Sequence, residues 1–128
     1  MLYAQNISDY RWKNRLLVLV DTALETSAMK SQLNRLLVDE DGLKERDIVL
    51  FQLTPETLVL STGRKPKFSP QETYNYLSIP KDFKGLILVG KDGGVKLRKP
   101  FVVQAETIFT LIDGMPMRRS EIKRNQGN

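Results

Sequence analysis

Three short, almost unbroken apolar runs limit what this chain can fold into: Arg15-Leu16-Leu17-Val18-Leu19-Val20, Ile48-Val49-Leu50-Phe51 and Leu86-Ile87-Leu88-Val89. Each falls far short of the ~20 residues that span a bilayer. None alternates apolar with polar, as a strand with one wet face does. Runs of this kind form strands covered on both faces, as in the middle of an α/β sheet. At 128 residues and 14.7 kDa, the chain has room for one domain with a real core.

The segments between the runs supply helices. Met29, Leu33, Leu36 and Leu37 form one helical stripe, and Thr26 or Ser27 can cap its first turn. Asp39, Glu40 and Asp41 oppose the negative end of the helix dipole, so this helix is expected to stop near Val38. Gly42 is expected to close it in the left-handed conformation, with Leu43 folding back on it. The crossover from Val20 to Ile48 therefore makes the first two strands parallel. Thr57–Leu60 reads as a short extra strand.

Ser69-Pro70-Gln71-Glu72 is a capping box with proline at the first helical position. Lys91-Asp92-Gly93-Gly94 is a hairpin turn, followed by the alternating strand Val95–Arg98. Ala105, Ile108, Leu111, Ile112 and Met115 follow helical spacing up to Gly114, and Pro116 is expected to bar a continuation. Ser120–Asn128 reads as a loose tail, with residues 123–128 outside the folded domain.

The resulting order is β-α-β-α-β-β-α. This is an α/β, thioredoxin-like three-layer sandwich around a mixed sheet of four to five strands. The domain is placed at residues 7–122. Residues 1–6 read either as a signal-peptide remnant ending at Ala4 or as an ordinary start.

Four stretches carry a family resemblance: Tyr10-Arg11-Trp12-Lys13-Asn14-Arg15-Leu16-Leu17, Leu43-Lys44-Glu45-Arg46-Asp47, Gly90–Arg98 and Leu111–Glu121. Together they resemble the bacterial domain of unknown function 4174 family. That domain type is similar to modules in vertebrate sushi-repeat and coiled-coil-domain matrix proteins. The resemblance implies a peroxiredoxin-related fold, often secreted or in the envelope, with no established activity.

Composition removes the chemistry that usually accompanies this fold. Cysteine and histidine are both absent. Thiol exchange needs a thiolate in the turn after the first strand. Here that turn is Asp21-Thr22-Ala23-Leu24-Glu25-Thr26. Redox thioredoxins also place a cis-proline before the third strand, where this chain has Lys84-Gly85. Asp21 and Glu25 read as helix-capping carboxylates or, alternatively, as the carboxylate pair of a hydrolase or metal enzyme. No motif calls for a cofactor, because Lys91–Gly94 lacks the context of a phosphate loop.

The charge is uneven. Residues 96–128 hold seven of the 20 basic residues and three of the 15 acidic ones, most of the net +5. This points to an acidic protein or a polyanion as partner, with Arg118, Arg119, Arg98 and Lys96 as the expected surface. Alternatively Arg118 and Arg119 pair with Asp113 or Glu121 near a helix end, and Asp113 fits either role. Trp12 and Arg15 mix an aromatic ring with a cation, as binding surfaces do. Arg64-Lys65-Pro66-Lys67 is a second basic stretch, but no nucleic-acid motif accompanies either. The expected function is that of a non-catalytic binding or structural module, periplasmic or extracellular, with a cytoplasmic location as the alternative. Homo-oligomerisation through an exposed sheet edge is a further expectation.

Overall fold

A computed structural model gives the structure, describing residues 4–126. Five strands form one mixed sheet: β1 (Arg15–Val20), β2 (Ile48–Leu53), β3 (Leu58–Leu60), β4 (Gly85–Val89) and β5 (Val95–Lys99). Their spatial order is β3-β2-β1-β4-β5. β1 and β2 are parallel, and all other neighbours are antiparallel. The extra strand at Thr57–Leu60 is therefore present as β3.

The apolar runs take the positions their composition demands. Every residue of β1 and β4 is buried. Leu16, Val18 and Val20 face one way and pack with Phe51, Phe68, Leu77 and Ile87. Leu17 and Leu19 face the other way and pack with Met29, Leu36, Leu43, Ile108 and Ile112. Helix α3 (Pro70–Tyr76) covers the first face together with a short 3-10 helix at Ile7–Tyr10. Helices α1 (Ser27–Leu37), α2 (Glu40–Glu45) and α4 (Ala105–Asp113) cover the second. Thr26 caps α1 by accepting from the Met29 N–H, and the Ser69/Glu72 capping box is complete.

Three local expectations are corrected. Gly42 does not close α1 in a left-handed turn; it lies inside α2. Asp39 caps that helix, and Glu40 and Asp41 complement its positive end, so the acidic run that ends one helix starts the next. Glycine is needed at 42 for space, since a Cβ there would lie 2.8 Å from the Phe109 ring. Pro116 opens α5 (Pro116–Gln126) instead of preventing a helix, and the supposed tail is helical through Gln126. Leu111 is exposed, and Phe109 packs against the core in its place.

Gly85 begins β4 with φ +154, and a Cβ there would stand 2.2 Å from the Lys99 carbonyl oxygen. Both atoms belong to the paired β4–β5 backbone, so neither yields easily. Gly63 (φ +95) sits in a loop with open space around it. Gly85→Ala is expected to cost about 3 kcal/mol and Gly63→Ala about 1 kcal/mol, read from urea unfolding midpoints. Equal midpoints for the two variants would contradict the close approach at Gly85.

Candidate functional site

The two poles of the sheet are built differently. At the C-terminal end of β1, Asp21 is buried. Its carboxylate accepts from the Thr22 N–H at 2.7 Å and the Thr26 hydroxyl at 2.6 Å, while Thr26 itself caps α1. The turn where this fold carries its thiolate is thus closed by a carboxylate–hydroxyl–helix relay. Glu25 is exposed and makes no hydrogen bond or ion pair among the described residues. The structure supplies no third partner for these two: among the described residues, no group of three His, Cys, Asp or Glu side chains is placed to hold a metal.

The opposite pole is a network of charges. Arg15 opens β1 and Lys91 follows β4; because these strands run antiparallel, both cations reach the same end of the sheet. Glu121 on α5 enters between them. Arg15 donates to both of its oxygens at 3.1 and 3.2 Å, and Lys91 donates at 2.8 Å. The Lys91 ammonium also reaches Asp47 at 2.9 Å. Arg118, 1 % exposed, donates to Asp113 at 3.0 Å and to the Glu45 carboxylate. Arg46 forks onto both oxygens of Asp113 at 3.1 and 2.9 Å and lies over the Phe109 ring. The network holds four cations and four carboxylates, so it is neutral.

The electrostatics follow from the contacts. Burial raises the Glu121 carboxyl pKa, but hydrogen bonds from Arg15 and Lys91 outweigh it and hold the group below the usual range. Asp113 is lowered chiefly by the hydrogen bond from Arg46, with Arg118 adding to it.

The residues expected to form one binding surface are therefore divided. Arg118, Asp113 and Arg15 belong to the internal network, which leaves the Arg118 and Arg15 guanidinium groups enclosed. Arg119 is exposed on α5. Lys96 pairs with Asp92 at 2.8 Å on the α5 side of the hairpin. Arg98 donates to the Leu77 and Ser78 carbonyls at the end of α3, in the other layer. A register shift at Leu88/Val89 separates the paths of Lys96 and Arg98. Trp12 is 64 % exposed, and its backbone N–H donates to the Lys91 carbonyl.

A cleft of about 250 Å³ opens beside the network, lined by Arg15, Gly90–Asp92, Lys96 and Met115–Met117. Every lining residue falls within the stretches 10–17, 90–98 and 111–121 that carried the family resemblance. The network members missed by sequence reasoning, Glu45, Arg46, Asp47 and Lys91, lie in those stretches and in 43–47.

Fold and poles together define a thioredoxin-fold domain with no sulfur nucleophile. The chain belongs to the DUF4174 family, a domain of unknown function, whose model matches residues 6–121. It is 28 % identical over 138 residues to coiled-coil domain-containing protein 80 of Danio rerio, covering 94 % of this chain and 16 % of that protein. Among solved structures it is similar to thioredoxin peroxidase I of Plasmodium yoelii, with TM-score 0.60 and 16 % identity over 95 % of this chain and 81 % of the other. It is also similar to the reduced 2-Cys peroxiredoxin of Plasmodium vivax, with TM-score 0.57 and 13 % identity over 89 % and 84 % of the two chains. At these identities the two structures establish the fold. Their thiol chemistry has no counterpart atom here, because the chain contains no cysteine.

Removing Glu121 strands Arg15 and Lys91 in a buried site. Glu121→Ala is expected to cost about 3–5 kcal/mol, whereas Arg119→Ala stays within about 0.5 kcal/mol. Because Glu121 and Asp113 bind protons more weakly folded than unfolded, their contribution is complete above the unfolded carboxyl range near pH ~4 and is lost as pH falls through the lower folded values. The urea midpoint is expected to hold from pH 7 to about 5.5 and then decline, less steeply in Glu121→Gln. A midpoint independent of pH in the acid range would contradict the network.

Proposed function

We propose that this chain is a non-catalytic thioredoxin-fold module that docks an acidic protein partner at the cleft beside the ion network, in a bacterial envelope or secreted setting. One observation carries the docking site: all side chains lining the cleft come from the stretches that mark the family, while the pole used by thiol enzymes is closed by Asp21 and Thr26. The cleft's chemistry suits a protein surface. Met115 and Met117 offer adaptable apolar contact, and Met117 is 39 % exposed. Lys96 is partly exposed, and the Lys91 ammonium has three donors with two engaged. The network is internally neutral, so the chain's entire +5 excess lies outside it and steers acidic partners.

Retention on immobilised polyglutamate tests the site. Lys96→Glu/Met117→Glu is expected to elute at clearly lower salt than Lys123→Glu/Arg124→Glu, although the latter removes more positive charge, from the exposed end of α5. Equal shifts for the two variants would mean that bulk charge acts without the cleft. The setting rests on the family resemblance. Fractionation of the producing cell is expected to find the domain in the envelope or medium, and recovery from the cytosol alone would overturn that part.

A further inference from the structure

A second cavity, of about 230 Å³, lies along the opposite edge of the sheet. It is lined by Ala4, Tyr10, Leu60, Arg64, Lys65, Pro66 and Lys67. We infer that it is an anchor site for an acidic peptide segment, with one apolar side chain in the cavity and carboxylates on its rim. This surface is separate from the cleft proposed above and does not depend on it.

Three features carry the inference. The first is the sign of the charge. Three cations line the cavity, and no carboxylate among the described residues does. At the motif cleft, by contrast, Asp92 shares the lining. Lys65 and Lys67 are exposed and have no hydrogen bond or ion pair among the described residues. Two like charges two residues apart on a loop repel each other and gain from an anion between them.

The second is the floor. Ala4, Tyr10 and Leu60 pack against the core cluster of that face, and Tyr10 meets Phe51 and Phe68 edge-on. A floor this apolar offers few partners to the hydroxyls of a glycan and accepts an apolar side chain instead. The third is place. The cavity borders β3, a three-residue edge strand, and the loop at residues 61–67 that follows it. Lys65 and Lys67 lie no more than about 7 Å apart along the chain, the repeat of same-side residues in an extended peptide.

Nuclear magnetic resonance titration of the full chain with the probe acetyl-EEFEE-amide tests this. The expected perturbations fall on Tyr10, Leu60 and residues 64–67. Acetyl-EEGEE-amide is expected to bind about tenfold more weakly, because it lacks the buried ring. Lys65→Glu/Lys67→Glu is expected to weaken the phenylalanine probe at least about tenfold with its urea midpoint unchanged, while Lys96→Glu/Met117→Glu leaves it intact. Perturbations at Lys96 and Met117 instead would overturn this site and favour the cleft. Equal affinity for the two peptides, or no perturbation by millimolar probe, would overturn it as well.

Discussion

Glu121 is a carboxylate held between two buried cations, and the closure of one pole of the sheet depends on it. Taking an ion out of water costs several kcal/mol, which is recovered only with close geometry and full hydrogen bonding. Here Arg15 grips both oxygens of Glu121, and Lys91 adds a third bond. The same contacts dock α5, whose sequence offers little else. Only Met117 and Ile122 are apolar among its eleven residues, Pro116 aside, and Met117 is exposed. Charge, not an apolar stripe, fixes the last helix to the sheet. That reverses the usual order, in which amphipathic burial positions a helix and ion pairs decorate it.

The two poles divide the labour of the fold. At one, a position that thiol enzymes of this architecture use for chemistry has become a closed turn, with Asp21 accepting from Thr26 and Thr26 capping α1. At the other, the four stretches that mark the family converge from distant parts of the chain. Much of what identifies the family is therefore a set of internal contacts, and Asp92, Lys96 and Met117 are among the exposed residues of those stretches that line the cleft. A fold can keep its framework while its reactive group is lost and surface properties take over.

The middle of the sheet was legible because β1 and β4 are apolar on both faces, and burial on both faces leaves an unbroken run in the sequence. The capping box at Ser69 was legible because its signal is local. Helix α5 was not, since apolar periodicity is the main cue for a helix and α5 has almost none. Helix α2 was hidden by reading Asp39–Asp41 only as an ending. Arg118 and Arg119 are adjacent in sequence, yet one is enclosed and the other exposed. Nothing local distinguishes them; the difference is made by Glu45 and Asp113, which the fold brings to Arg118 alone. The signal for the network lay in the motif stretches, which contain all eight of its residues but do not reveal which of them meet.

The Arg15–Glu121 pair joins residues 106 positions apart. A chain emerging from the ribosome produces β1 well before α5. Until α5 emerges, two cations at the sheet's end have no buried counter-charge, so that end stays hydrated and unfinished. Contacts of such long range also slow the search for the native state. Helix α5 thus completes the pole: without it Arg15 has no carboxylate partner and Lys91 keeps only the half-exposed Asp47.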